Sequence, residues 1–155
     1  LISDMMRDVI KRGTGVGARD LGRSDLSGKT GTTNDQRDAW FSGFNADLVA
    51  TAWIGFDHLA PLGNGEVGGR VALPAWKYFM GNALAGKAEH QLPQPWGLVR
   101  VKIEPDSGLL ASAVDTNWVY ELFPVDRLPA EATSHPVTLE GLQHEEQDEE
   151  EESIF

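Results

Sequence analysis

Two apolar runs, Asp38–Phe44 and Leu48–Phe56, are separated only by Asn45-Ala46-Asp47. Asn and Asp favour tight turns because their side chains bond nearby backbone and tolerate left-handed conformations. The stretch therefore predicts a β-hairpin. Its first strand carries Trp40, Phe41 and Phe44. Its second is almost continuously apolar, which predicts cover on both faces. Any fold available to this chain has to bury that hairpin.

The flanking segments supply the cover. Leu1, Ile2, Met5, Met6, Val9 and Ile10 recur at helical spacing between Asp4, Arg7, Asp8 and Lys11, as in an amphipathic helix of about three turns. Gly13 is placed to end it and Arg12 suits its last turn. Gly13, Gly15 and Gly17 read as a flexible connection. Ser27–Thr33, small and Thr-rich, reads as a further strand able to approach a ligand. After a Gly-rich loop over Asp57–Gly69, Pro74 suits the first turn of a helix whose apolar face is Ala75, Trp76, Phe79, Met80, Ala83 and Leu84. Helix, three strands, helix predicts an α+β class: an antiparallel sheet with helices packed on it.

Pro93 and Pro95 mark a boundary, so residues 1–92 read as one domain portion. Beyond it, Val99, Val101 and Ile103 alternate with Arg100, Lys102 and Glu104. Asp106-Ser107-Gly108 is a turn, and Leu109–Val114 reads as the returning partner strand. Residues 93–130 thus form a small β-rich appendage. Residues 131–155 lose periodicity and read as a disordered acidic tail, solvated rather than docked. No internal repeat is present.

Charge and composition exclude several function classes. The 155 residues carry a net charge of −11, and seven negatives with no intervening cation, at Glu145, Glu146, Asp148 and Glu149–Glu152, leave the rest at −4. No basic stripe suggests a nucleic-acid partner. The absence of cysteine excludes disulfides and Cys–metal sites. His58, His90, His135 and His144 lack metal-ligand spacing and read as surface residues, and no cofactor is expected. No apolar run reaches 18 residues, and no signal-peptide pattern is present. Leu1 opens directly into a helical pattern without an initiator Met, which predicts that the chain was cut from something longer whose missing part holds any membrane anchor.

Gly28-Lys29-Thr30 first invites a phosphate-loop reading. That loop needs a Gly five positions before the Gly-Lys pair, and Arg23 stands there; Gly22 is one residue too early. The following residues are also strand-like, so no helix N-terminus would receive a phosphate. The other reading is Lys-Thr-Gly on a strand edge, a motif of serine acyl-transfer enzymes. Lys29 raises the positive potential beside a substrate carboxylate. Thr30 and Thr32 offer hydroxyl donors to it. Gly31 lets a ligand lie close to the backbone, and the next backbone N–H can face a developing oxyanion. The tripeptide alone is weak evidence, so its context decides.

That context resembles the class A penicillin-binding proteins, the bifunctional peptidoglycan synthases. Arg12-Gly13-Thr14-Gly15 after an amphipathic helix is similar to the segment leading into their motif strand. Leu26-Ser27-Gly28-Lys29-Thr30-Gly31-Thr32-Thr33-Asn34-Asp35 resembles that strand and its exit. Asp38–Phe44 and Trp53-Ile54-Gly55-Phe56-Asp57 resemble the next two strands. Gly68-Gly69-Arg70, Ala72-Leu73-Pro74 and Trp76 resemble the loop and last helix of the transpeptidase domain. The likeness covers about residues 1–85 in order.

The resemblance implies a serine β-lactamase/D,D-transpeptidase-like fold and the C-terminal part of the transpeptidase domain. It implies Lys29 in the electrostatics of acylation and the Thr32 N–H as half of an oxyanion hole. Thr30 and Thr32 would bind the carboxylate of a D-Ala-D-Ala stem peptide or a β-lactam, and Gly31 would keep the strand open to that substrate. It also implies a glycosyltransferase segment upstream, cell-wall synthesis proteins as partners, and attachment to a bacterial inner membrane, with this domain on the periplasmic side. One departure matters. None of Ser3, Ser24, Ser27, Ser42, Ser107, Ser112, Ser134 and Ser153 begins Ser-x-x-Lys or Ser-x-Asn. The nucleophile is therefore not in this chain, which is expected to be inactive and poorly stable alone.

Other residues have plainer readings. Trp40, Trp53 and Trp76 lie in apolar elements and read as core. Asp35, Arg37 and Asp38 read as a solvated turn, Asp106 as a turn residue and Ser42 as structural. Two alternatives remain: a β-lactamase or D,D-carboxypeptidase of the same superfamily, and a non-catalytic interaction module using the appendage and tail.

Overall fold

The computed structural model describes residues 1–131. The expected acidic tail lies outside them except for Glu131. Close contacts divide the described residues into two compact units, residues 1–99 with 122–124, and residues 100–121 with 125–131.

The first unit begins with α1 (Ile2–Arg12), which carries Asp8–Lys11 and Asp8–Arg12 pairs and a largely buried Asp4–Arg7 pair, while Ile2 and Met5 of its expected apolar face are exposed. Ile10 is its buried residue. Gly13 ends it because a side chain there would collide with the Val9 backbone at 2.8 Å. The glycine-rich connection is more ordered than its composition predicts: a 3-10 helix, Val16–Leu21, buries Ala18 completely. Small residues here permit close packing rather than looseness.

Strands β1 (Ser27–Thr32), β2 (Asp38–Phe44) and β3 (Val49–Gly55) form an antiparallel sheet in that order. The hairpin turn is held as expected, with Asn45 Oδ1 accepting the N–H groups of Asp47 and Leu48 at 3.0 and 2.9 Å. Cross-strand register places Thr30 opposite Phe41 and Phe41 opposite Ala52, and in the adjacent row Gly31, Trp40 and Trp53. Side chains alternate across a sheet, so these two rows face opposite ways.

The helices occupy the Phe41 face. Phe41 and Trp76 meet with ring centroids 4.8 Å apart, and Ala39, Leu26, Ala72, Leu73, Met80 and Leu84 complete a buried core with Ile10 and Ala18. The Trp76 Nε1–H group faces the Gly43 and Ala50 carbonyls at 3.3 and 3.1 Å. A Cβ on Gly43 would lie 2.5 Å from the Trp76 ring; glycine is what lets the indole rest on the strand.

The other face corrects two expectations. Trp40 and Trp53 are not core: they are 42% and 43% exposed and pack against each other at 6.1 Å. Strand parity, not membership of an apolar element, decides burial. Nor is β3 covered on both faces. It is the outer strand and alternates exposed with half-buried residues, Val49 being 70% exposed.

Helix α2 (Gly68–Ala83) starts six residues before Pro74, which lies inside it. The Val67 carbonyl accepts the N–H groups of Arg70 and Val71, at 2.8 and 3.0 Å. Pro74 has no N–H for the Arg70 carbonyl, yet the helix continues because Leu73 just before it and Trp76 and Met80 after it are buried. Packing overrides the proline signal.

A polar lock closes the unit. Asp25, with a side chain fully shielded from solvent, takes the Arg23 guanidinium at 2.9 and 2.7 Å, the Asn45 amide at 3.0 Å and the His90 N–H at 3.1 Å. Arg23 also reaches the carbonyls of Lys87 and Ala88. The chain after α2 is thereby tied to the approach to β1.

In the remaining segment, β4 (Leu98–Ile103) pairs with β5 (Val119–Pro124) as a two-stranded sheet. This corrects the expectation that Leu109–Val114 is the partner strand. Leu110 makes only isolated bridges, to Ile103 and Glu131. Glu104 accepts the N–H groups of Asp106 and Ser107 and holds the turn. Lys102 Nζ lies 3.9 Å from the Trp118 ring centre, a cation–π contact. No helix among the described residues is long and apolar enough to cross a membrane.

Burial pushes the Asp25 carboxyl up, but hydrogen bonds from Arg23, Asn45 and His90 outweigh it and hold it below its ordinary value. A carboxyl depressed on folding stabilises above its unfolded pKa and loses that contribution as pH falls through the folded value. Asp25→Ala should cost about 3–5 kcal/mol, because it strands the Arg23 charge. Melting temperature against pH should drop below about pH 4, and Asp25→Asn should flatten that acid limb; an unchanged limb would remove Asp25 from the cause.

Candidate active site

Lys29, Thr30, Gly31 and Thr32 all lie on β1, the outer strand opposite β3. Ladder parity decides what this edge offers. The Thr33 N–H bonds the Asp38 carbonyl at 3.0 Å, so hydrogen bonding to β2 falls on the odd-numbered residues of this strand. The N–H and C=O groups of Thr30 and Thr32 therefore point to the free edge. Lys29 reports the same polarity: its ammonium reaches the Thr30 carbonyl at 2.9 Å and the Thr30 hydroxyl at 3.4 Å.

The side chains divide by face. Lys29 shares the open face with Ser42, Thr51, Trp40 and Trp53. Thr30 and Thr32 point to the helical side. Each hydroxyl there meets a partner: Thr30 Oγ1 lies 2.7 Å from Thr14 Oγ1, and Thr32 Oγ1 accepts the Gly68 N–H at 3.0 Å. The second contact satisfies one of the first N–H groups of α2, which have no partner within the helix.

Two residues with no assigned role in the sequence reading thus join the edge. Thr14 was visible only as part of the Arg-Gly-Thr-Gly lead-in; its signal is a hydroxyl flanked by two glycines and hence the only side chain available there. Gly68 sits over the backbone of the Gly31–Trp40 pair, whose side-chain positions both point to the other face of the sheet. A Cβ on Gly68 would lie 2.3 Å from the Trp40 carbonyl oxygen and 2.5 Å from that of Gly31.

Neighbouring groups keep structural parts. Ser42 pairs with Thr51 across the strands at 2.9 Å, and Asp38 accepts the Trp53 indole N–H at 2.9 Å. Asp35 and Gln36 have positive φ, 58° and 53°, in the tight turn leaving β1, and Arg37 pairs with Asp35. His90 lies against Asp47 at 2.9 Å. Among the described residues no three His, Asp or Glu side chains are grouped as metal ligands.

The edge thus gathers one ammonium, two hydroxyls and a free backbone N–H. A penicillin-binding protein 1A from Pseudomonas aeruginosa is 45% identical over 136 residues, 88% of this chain. This chain is a homologue of a segment of penicillin-binding protein 1A. A Vibrio cholerae protein of that name is 40% identical over 139 residues, and one from Neisseria gonorrhoeae 48% over 95. The crystal structure of penicillin-binding protein 1A from Haemophilus influenzae superposes with a TM-score of 0.76 at 35% identity, over 85% of this chain and 21% of that one. No family model matches. The chain spans only 16%, 17% and 12% of the lengths of the three relatives. It is thus a penicillin-binding protein region of mixed helix and antiparallel sheet, related to enzymes of peptidoglycan synthesis.

Gly68→Ala should cost about 1–3 kcal/mol, since the clash is with backbone on both sides. The midpoint of urea unfolding measures it; no shift would mean that α2 is not seated on this backbone.

Proposed function

We propose that this chain supplies one wall of a D,D-transpeptidase centre in a longer class A penicillin-binding protein. The observation that carries the reading is the outward edge of β1: the free N–H of Thr32, the hydroxyls of Thr30 and Thr32, and the Lys29 ammonium. An extended peptide with a C-terminal carboxylate fits such an edge. It can lie along the strand and place its terminal anion at the hydroxyls and ammonium. The homology to penicillin-binding protein 1A supports the assignment.

The reaction is acyl transfer in two steps. A serine elsewhere in the longer protein attacks the carbonyl of the D-Ala-D-Ala bond, giving a tetrahedral oxyanion. The Thr32 N–H is placed to stabilise that charge, which exists only along the reaction path and so lowers its barrier. The bond to the terminal D-Ala breaks, its nitrogen gains a proton, and D-Ala leaves. An amine from a second stem peptide then displaces the serine and forms the cross-link. A β-lactam enters the same path, but ring opening leaves its amine attached. Lys29 favours the negative charge on carboxylate and oxyanion. No cofactor enters.

The reading places the domain on the periplasmic side of a bacterial inner membrane, where peptidoglycan is built, with anchor, glycosyltransferase and contacts to other wall-synthesis proteins supplied by the rest of the protein. The nucleophile motif is absent here, so this chain alone should not acylate.

Fluorescent penicillin tests both halves. The full-length protein should be covalently labelled, and Lys29→Ala should slow labelling about 100-fold or more, the scale of losing one charged donor at a developing oxyanion. The isolated 155-residue chain should remain unlabelled. Labelling of the isolated chain, or full rate in the Lys29 variant, would defeat the proposal.

A further inference from the structure

We infer that Thr14 is a positioning residue for the substrate carboxylate, acting through the hydroxyl of Thr30. The inference rests on the acyl-transfer reading and deepens it. A hydroxyl has one proton to donate and two lone pairs to accept with. Thr30 Oγ1 has Thr14 Oγ1 at 2.7 Å and the Lys29 ammonium at 3.4 Å. Between two threonines either oxygen can donate. An ionised carboxylate only accepts, so once it binds, the Thr30 proton is directed to it and Thr14 has to donate to Thr30. Lys29 and Thr14 then occupy the two lone pairs of Thr30, and its proton faces the ligand.

Thr32 is arranged in the same sense. It accepts the Gly68 N–H, which leaves its own proton for the same anion. Both hydroxyls are thus backed by donors, one from the backbone of α2 and one from a side chain. Only the second can be removed by substitution without altering a main-chain group.

Thr14 is held for this task. The N–H groups of Gly13 and Gly15 on either side of it both bond the Val9 carbonyl, at 3.1 and 2.9 Å. They lash the segment to the last turn of α1. Its carbonyl oxygen lies 2.5 Å from where a Cβ on Gly69 would stand, so the start of α2 closes against it. Its hydroxyl is therefore fixed relative to β1 although its own side chain is exposed.

The test uses full-length protein and two probes: a β-lactam with a free carboxylate and its methyl ester. Thr14→Val should slow acylation by the acid roughly three- to tenfold, the size of one hydrogen bond, and leave the ester rate unchanged. Thr14→Ser should restore the acid rate. In a Thr30→Val background, Thr14→Val should have no further effect. Equal slowing for acid and ester would show a merely structural role and overturn the inference, as would an unchanged acid rate or an additive double variant. If unsubstituted protein reacts with neither probe, the acyl-transfer reading itself fails and this inference falls with it. Should the Val variant fail to fold, Thr14→Ala takes its place under the same criteria: a slowed acid rate with the ester rate unchanged supports the inference, and equal slowing of both or an unchanged acid rate overturns it.

Discussion

The seat of Trp76 on the hairpin governs the rest of the first unit. A large indole is buried against two strands, its N–H answered by the carbonyls of Gly43 and Ala50. It is favourable on both counts, since apolar area leaves water and the one polar atom remains bonded. It also fixes α2 in rotation and height over the sheet. Because α2 is continuous from Gly68 to Ala83, locking its middle at Trp76 sets its first residue on the β1–β2 backbone. The Thr32 hydroxyl then meets the Gly68 N–H, and the edge of β1 is shaped from behind by a helix whose anchor lies elsewhere.

The Asp25 lock complements this. Hydrophobic burial is non-directional, whereas the fork of Arg23 on Asp25 admits one geometry. It draws together the approach to β1, the hairpin turn at Asn45 and the chain after α2. The core holds the helix against the sheet, and the lock sets where the chain enters and leaves them. A buried pair of this kind is weak evidence for added stability, but strong evidence that breaking it is costly.

Much of this was legible in the sequence. The hairpin, the motif strand and both helices appear because their signals are local: turn residues at Asn45 and Asp47, apolar spacing around Ile10 and Trp76, and small residues before Lys29. What was not legible depends on parity and contact across the chain. Trp40 and Phe41 are adjacent and both aromatic, yet one is exposed and the other buried, and only the position of α2 says which. Pro74 signals a helix start when read locally, but the burial of Leu73 and Trp76 carries the helix through it. The glycines at 13, 15 and 17 read as looseness and turn out to mark tight packing. In the second unit, Leu109–Val114 looks strand-like, and the true partner of β4, Val119–Pro124, is farther along. At the site, Lys29, Thr30, Gly31 and Thr32 were found by motif, whereas Thr14 and Gly68 act through space and are visible only in the fold.

The Trp76 seat also bears on heat. Were the candidate edge carried on a separate loop, it could loosen by itself while the body of the domain remained intact. Here the helix that backs the edge and the helix that fills the core are one rod. The edge has no low-cost local opening of its own and belongs to the same cooperative unit as the core. Loss of its shape and melting of the core should therefore be a single event, with no warm but misshapen intermediate in between.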